Sequence, residues 1–430
     1  MSDTLIVLLA VFVILIFIGM PIAWATLISC IVWMGMTDRW HFLPLIPERI
    51  YQGLDVFVLL SIPLFIVTGE LVNEGRIVDR LFHFSNILCG WMRGGLSQVN
   101  VVASMLFAGI TGTALGDIAS QGKVFIPAMV REGYTPAYAA AVTACTAIIG
   151  PMVPPSLVIV LYGSMTNLSI GALFLACVIP GVLLCIVQMI LVAIQARIHN
   201  FPRVELDRSP KAILHSGLHA LAPMMIPVII MCGLVFGVMT PTEAGAAAAF
   251  YALILALIFY RTLTFRDLPG VFGRSMVFTG QIMIIVAVGA IFSWAIGMEN
   301  LPDLVIRTLK DYQFTQTETL IIFNLLVAFL GMFLDTPTTT VLFAPLLNDA
   351  AKSVGIDPIH FGVIMILNLN IGLITPPLGI CLFAVEKIAN CGYWAVARAS
   401  LSFVFASVVG LILVTFIPEL SLWLPRLAGF

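Results

Sequence analysis

The sequence predicts an all-α polytopic membrane protein made of two inverted repeats, each carrying a re-entrant helical hairpin and a broken transmembrane helix. Three observations predict it: an apolar excess, two long apolar stretches interrupted halfway, and Gly and Pro motifs that recur at a fixed spacing. The 430 residues are 61% hydrophobic and only 10% charged, against about 25% charged in a soluble domain. So little charge cannot cover a water-facing surface, so lipid must be the solvent. The net charge of −2 argues against nucleic acid as a partner. The eight cysteines (Cys30, Cys89, Cys145, Cys177, Cys185, Cys232, Cys381, Cys391) form no C-x-x-C pair, which indicates neither a metal site nor a disulfide framework. Met1-Ser2-Asp3-Thr4 leads straight into an apolar run. It lacks the basic start and cleavage site of a signal peptide, which predicts a retained first span.

An apolar run of about 20 residues crosses a bilayer as a helix. Such runs lie at roughly 5–35, 50–73, 136–163, 170–197, 219–239, 241–260, 275–298, 358–388 and 397–424. Two further stretches, about 94–131 and 317–353, are broken midway by Gly, Thr, Asp or Pro into halves of about 15 residues. Halves that short predict hairpins that dip in and return, with their tips buried in protein or lining a cavity. The mixed-polarity segments 74–93 and 299–316 precede the two hairpins at equivalent places. They read as interfacial arms between a scaffold and each hairpin, and an arm lying in the membrane plane would let one block slide past the other.

Orientation follows from Lys and Arg, which favour cytoplasmic loops. The clearest basic loop is Arg197, Arg203, Arg208, Lys211, followed by Arg261, Arg266, Arg274. Between them Thr240-Pro241-Thr242-Glu243 reads as a capped helix start. Counting outward, Arg76, Arg80, Arg93, Lys123, Arg131, Lys387 and Arg398 also fall inside. Arg39, Arg49, Arg307, Lys310, Lys352 and Arg426 fall outside, fourteen against six. This predicts a cytoplasmic N-terminus, a periplasmic C-terminus, and hairpins opening to opposite sides.

The strongest signal is self-similarity between halves 1–215 and 216–430. Thr135-Pro136 followed by Gly150-Pro151-Met152-Val153-Pro154-Pro155 matches Asp357-Pro358 followed by Gly372-Leu373-Ile374-Thr375-Pro376-Pro377 at an offset of 222. Asp117 with Asp335, and Pro127 with Pro345, match at 218, as though four residues had been gained between hairpin and span. Paired prolines remove backbone donors and free carbonyls partway through a span. Discontinuous helices at matching places in two inverted halves point to a transporter's binding site.

A hairpin tip facing a broken span brings helix N-termini, which favour anionic groups, next to carbonyl and hydroxyl oxygens, which suit Na⁺. We expect one Na⁺ in each half, held largely by backbone oxygens. The first site draws on Gly109, Thr111, Gly150, Val153 and Pro154, the second on Asp335, Thr336, Gly372, Thr375 and Pro376. Substrate contacts are expected from Thr111, Gly112, Thr113, Pro155, Ser156, Asp335, Thr336 and Pro377. Asp117 and Asp335 stand out because ionisable groups within spans are costly, although each also reads as a cap on the helix that follows. Of Asn368 and Asn370, one is expected to face the cavity and the other a neighbouring helix. Thr146 and Ser156 flank the first break similarly. Glu386-Lys387 reads as an interfacial pair. No catalytic triad, phosphate-binding loop or H-E-x-x-H is present, so the chain is expected to be no enzyme and to need no organic cofactor.

Several stretches together resemble a known family: Arg93-Gly94-Gly95-Leu96, Ala108-Gly109-Ile110-Thr111-Gly112-Thr113, Ile126-Pro127-Ala128-Met129, Gly133-Tyr134, Gly150 to Ser156, Thr240 to Ala244, Gly355 to Gly362, and Asn370 to Pro377. They are similar to the large membrane (M) subunit of tripartite ATP-independent periplasmic (TRAP) transporters, of the wider ion-transporter superfamily. The resemblance implies a bacterial or archaeal inner-membrane protein, an elevator mechanism and coupling to Na⁺. It also implies a small four-helix membrane subunit and a periplasmic binding protein delivering an organic acid, such as a C4-dicarboxylate, sialic acid or a keto acid. Where relatives often read S-G-S-S, this chain has Thr111-Gly112-Thr113-Ala114; where they often read Glu-Pro, it has Asp335-Thr336-Pro337. Two other functions fit the residues: a self-sufficient sodium-coupled carboxylate carrier of the same superfamily, and a channel or membrane scaffold.

Overall fold

The computed structural model describes residues 3–201 and 210–430, so Met1, Ser2, Arg203 and Arg208 lie outside the described residues. Among these residues the fold is all-helical, with no strand. The first half contains α1 (Asp3–Phe17), α2 (Ile22–Met36), α3 (Ile46–Leu54), α4 (Ser61–Glu74), α5 (Val78–Cys89), α6 (Gly95–Thr111), α7 (Ala114–Arg131), α8 (Pro136–Ala147), α9 (Leu157–Thr166) and α10 (Ile170–Ile198). The second contains α11 (Pro210–Val235), α12 (Pro241–Ile254), α13 (Leu268–Met298), α14 (Leu301–Asp311), α15 (Gln316–Phe333), α16 (Thr336–Ser353), α17 (Pro358–Gly372), α18 (Ile380–Ala389), α19 (Tyr393–Phe416) and α20 (Glu419–Leu427). Seven helices among the described residues are long and apolar enough to cross a membrane, and α8 with α9 makes a further span bent by 42°. The protein is therefore a multi-pass membrane protein.

The run 5–35 does not form the single span expected. Gly19, at φ +87°, and Pro21 break it into α1 and α2, each 15 residues or about 22 Å long. The two lie back to back. Thr4 Oγ1 donates to the Glu299 carboxylate at 2.7 Å, Trp33 Nε1 donates to it at 3.0 Å and Arg39 Nη1 at 3.1 Å. Both ends of the pair therefore meet the end of α13, and the turn between them, Ile18-Gly19-Met20-Pro21, is wholly apolar. Its amides donate back into α1 (Ile18 to Ile14, Gly19 to Ile16, Met20 to Leu15), which lets such a turn sit in hydrocarbon.

This pairing also corrects the expected placement of the termini. From Glu299, α13 runs back to Arg274, which pairs with Glu70 and Glu74 at the end of α4. The other end of α4 meets α12, where Thr242 Oγ1 donates to the Phe57 carbonyl at 3.3 Å. Phe430 lies at Gly171, as does the Leu234 backbone at the end of α11, so it shares that end of the bundle. Thr4 and Phe430 thus lie at the same end, because the first 36 residues turn back instead of crossing.

The hairpins hold a second correction. Thr113 and Asp335 are the residues that precede α7 and α16, and both helices run for 18 residues. The second helix of each hairpin and the first helix of the span that follows it therefore start at one offset of 222, Ala114 with Thr336 and Pro136 with Pro358. No residues were gained between hairpin and span. Asp117 is not the positional partner of Asp335; it sits one turn inside α7. The hairpin helices are 17 or 18 residues, longer than the expected 15, because the Thr-rich tips are helical. At about 27 Å, α15 alone could nearly cross the bilayer, so its companion α16, with Thr336, Thr338, Thr339, Thr340 and Asn348 all buried, is the helix that needs protein around it.

Each arm position is a helix, α5 or α14. The basic side chain Arg80 of α5 lies 3.7 Å above the Tyr260 ring and within 3.3 Å of His219. Thr240 and Glu243 form the expected capping box, the Thr240 amide and hydroxyl both donating to the Glu243 carboxylate. Glu386 does not pair with Lys387 among the described contacts; it accepts from the Tyr393 amide at 3.1 Å and so caps α19. In the core, α4 packs against both α12 and α13, while α18 packs on α7 and α8, and α16 packs on α9. Each hairpin's second helix thus rests on the helix that follows the break in the other half.

Candidate functional site

At the first tip, α6 ends on Gly112 in the left-handed conformation (φ +60°), which suits glycine. Thr113 then accepts from the Gly116 amide at 3.2 Å and starts α7. The tip faces the first break at contact distance. A Cβ on Gly112 would lie 2.8 Å from the Pro155 carbonyl oxygen and 3.2 Å from Ser156 Cα, and one on Gly109 would lie 3.2 Å from the Pro154 oxygen. Only glycine allows that approach. Gly150 lies against the Asp117 carboxylate, which also accepts from the Thr111 hydroxyl. Asp117 is 1% exposed, and its Oδ2, like the Ser156 hydroxyl, has no hydrogen-bond partner among the described residues.

The break itself leaves oxygens free. The amides of Ile149, Gly150, Met152 and Val153 are satisfied by short-range turns, and the prolines carry no N–H. Among the described residues, the carbonyls of Gly150, Val153 and Pro154 accept no hydrogen bond.

At the second tip, the Thr336 hydroxyl donates to Asn370 Oδ1 at 3.3 Å. Asp335 Oδ1, Thr338 Oγ1 and Asn370 Nδ2 are buried without hydrogen-bond partners among the described residues. Asn368 faces the other way and donates to the Asn324 backbone and side-chain oxygens at 2.8 Å each. Gly372 lies against the Gly331 backbone, its carbonyl accepts from the Thr375 amide at 3.0 Å, and the Thr375 hydroxyl donates to the Ile371 carbonyl at 2.7 Å. Pro377 is exposed, and its carbonyl accepts from the Tyr393 hydroxyl at 2.8 Å.

A cavity of about 270 Å³ adjoins the first tip, with Thr111, Thr113 and Gly116 on one wall and Gly69, Glu70, Asn73 and Phe278 on the other. Asn73 also lines a second space of about 500 Å³ with Arg76, Ser120 and Lys123. Arg76 continues into a third, of about 660 Å³, beside Arg266 and Arg274. Together they form a crevice from the tip to the basic end of the bundle. Of the residues expected to touch substrate, Thr111 and Thr113 line the cavity, and Pro155 and Ser156 lie directly behind Gly112. Asp335 and Thr336 belong to a separate buried cluster, and Pro377 lies outside both.

Sequence reasoning missed the α4 wall, although Glu70 and Asn73 interrupt an apolar run and were visible there. It also missed two Asn anchors. Asn100 bonds Thr143 at 2.8 Å and accepts from Thr146 at 3.0 Å, tying α6 to α8. Asn324 and Asn368 tie α15 to α17, and Thr146 and Asn368 are equivalent at the offset of 222.

Two hairpin tips closed on two broken spans, beside a small cavity with a crevice to one end, define a membrane transport protein. The description "Tripartite ATP-independent periplasmic transporter, DctM component" matches residues 9–420. The chain is 35% identical to a sialic acid TRAP transporter large permease protein of Vibrio cholerae, covering 96% of each chain. It is also 35% identical to a C4-dicarboxylate TRAP transporter large permease protein of Pseudomonas aeruginosa, covering 89% of each. In fold it is similar to the YdaH transporter of Alcanivorax borkumensis, with a TM-score of 0.64 at 14% identity over 90% of each chain. The chain belongs to the DctM family, the large membrane permeases of TRAP transporters.

Proposed function

We propose that this chain is the subunit through which an organic acid of the C4-dicarboxylate, sialic acid or keto-acid class enters the cell, driven by a sodium gradient and moved by an elevator motion. A periplasmic binding protein delivers the acid, and a small four-helix subunit completes the membrane part. One observation carries the reading: at one offset of 222, both halves press a hairpin tip or its glycine onto a broken span. The halves are inverted, with the first hairpin opening at the end near Phe201 and the second near Pro358. Supporting contacts are Gly94 beside Phe201, and the Tyr162 hydroxyl beside Pro358 and Asn348.

In this reading the free carbonyls of Gly150, Val153 and Pro154, with Thr111 and Asp117, suit one Na⁺. Asp335, Thr336 and the Thr375 and Pro376 carbonyls suit the second. A hard cation prefers such oxygens. Substrate occupies the cavity under Thr111 and Thr113. The basic end faces the cytoplasm, so the crevice along Asn73 and Arg76 is the route of release, and Thr4 and Phe430 face the periplasm.

The test is uptake into proteoliposomes holding both membrane subunits, with the binding protein outside and N-acetylneuraminate, succinate or a 2-keto acid as cargo. Accumulation that requires both a sodium gradient and the binding protein is expected. Equal uptake in potassium would reject the coupling, and uptake without binding protein would favour a self-sufficient carrier. Asp335→Asn should raise the sodium concentration for half-maximal uptake by about tenfold, a change of about 1.4 kcal/mol. An unchanged sodium response would leave Asp335 as a helix cap.

A further inference from the structure

The outer side of the second hairpin carries a groove that meets the proposed transport site only at its inner end. It encloses about 520 Å³ between α15, α17 and α19. Its α15 wall runs from Ile321 through Leu325 and Ala328 to Met332, twelve residues that rise about 16 Å along the helix. Its walls are almost wholly apolar, and Leu325 (68% exposed) and Ile412 (49%) open it to the surroundings. At its inner end lie Gly372 and Thr375, the broken segment itself.

The dimensions decide what fits. A volume of about 520 Å³ spread over about 16 Å gives a mean cross-section of about 30 Å². A helix with side chains is about 10–12 Å across, a section of about 80 Å² or more, so no transmembrane helix can enter. A hydrated organic acid gains nothing from walls that offer almost no polar atoms. A single hydrocarbon chain fits, and about 16 Å is close to half of the roughly 30 Å hydrocarbon core, the depth of one leaflet.

Of the polar wall residues Asn324, Asn368, Thr375 and Thr415, Thr375 lies at the inner end with its hydroxyl taken up by the Ile371 carbonyl at 2.7 Å, and the other three bond one another farther out. Asn324 Nδ2 donates to Thr415 Oγ1 at 3.2 Å, near the end that Ile321 and Phe416 mark, where a lipid's ester groups would lie. Met332 and Gly372 sit at the opposite, methyl end.

We propose that this groove is a lipid site, occupied by one acyl chain of a membrane phospholipid, whose tail backs the broken span at Gly372. The proposal rests only on the membrane placement of the chain, so it stands or falls apart from sodium coupling and substrate.

The experiment reconstitutes the protein with its small subunit in phosphatidylglycerol vesicles doped with a phosphatidylcholine bearing a diazirine on one acyl chain, then maps adducts by mass spectrometry after illumination. Adducts on the α15 and α19 walls should exceed those on the lipid-facing Ile186, Ile190 and Ile194 of α10 by at least fivefold. Ala328→Trp, which fills the groove, should remove that excess and leave α10 labelling unchanged; Val408→Phe does the same from the α19 wall if the first variant folds poorly. Even labelling of α15 and α10 in the wild type would overturn the proposal. So would an excess that survives both fillings, or labelling seen only when the small subunit is left out.

Discussion

Gly372→Ala is expected to reduce uptake at least tenfold while the protein still inserts and elutes as a monodisperse species. The added Cβ would lie 2.5 Å from the Gly331 carbonyl oxygen and 2.8 Å from its Cα. These are backbone atoms, so no flexible side chain can yield, and α15 and α17 must part. Overpacking of this kind costs about 1–3 kcal/mol, and each 1.4 kcal/mol is about tenfold in an equilibrium. The displaced elements carry Asp335 and the Thr375 and Pro376 carbonyls, so the loss falls first on the cation site proposed above. Gly150→Ala should act more mildly, because its Cβ meets the Asp117 carboxylate, which can rotate at the cost of its bond from Thr111. Gly297→Ala, with nothing within 4 Å, is the control. Normal uptake by Gly372→Ala would show that close approach of the second hairpin to its broken span is dispensable.

The second large effect is expected at Glu299. Its side chain is 5% exposed and joins Arg39, Trp33 and Thr4. Glu299→Ala removes the acceptor for all three, and the exposure of Arg39 (31%) trims the loss to about 2–3 kcal/mol. The melting temperature should fall by several degrees, less for Glu299→Gln, which keeps one carbonyl acceptor. The same variant should loosen the far end of α1. Phe17 meets Phe333 in a tilted ring contact at 5.5 Å between centroids, so the α1–α2 turn touches the tip of the second hairpin. Cysteines at positions 17 and 333 in a cysteine-free background should cross-link readily in the parent and several-fold less in Glu299→Ala. Unchanged melting and cross-linking would mean that α1 and α2 are held by their apolar contacts with α13 alone.

Much of the candidate site could be read from local pattern. Thr135-Pro136 and Asp357-Pro358 are helix starts because Thr and Asp accept from the amides of the first turn and Pro needs no donor, and both caps are made. Gly150 and Gly372 mark the breaks because the paired prolines behind them cannot donate. Asn368 and Asn370 face different ways, as positions two apart on a helix must, but both meet neighbouring helices, Asn368 at Asn324 and Asn370 at Thr336. What misled was also local. Asp117 and Asp335 share a residue type, and identity alone suggested an offset of 218; the helix boundaries put Thr113, not Asp117, opposite Asp335. An unbroken apolar run from 5 to 35 read as one span because hydropathy does not register a turn when every residue in it is apolar.

Composition and spacing by themselves determined that the chain lives in lipid, and where Gly and Pro motifs recurring at a fixed offset interrupt its helices. Those properties come from side-chain transfer energies and from missing backbone donors, which belong to single residues and short motifs. Only the tertiary structure decided that α1 folds back to Glu299, that the α4 wall faces Thr111, that Tyr393 covers the Pro377 carbonyl, and that a groove backs Gly372. Each of these depends on partners up to hundreds of residues apart, chosen by shape and by which buried polar atoms can be satisfied at once, and no local pattern carries that information.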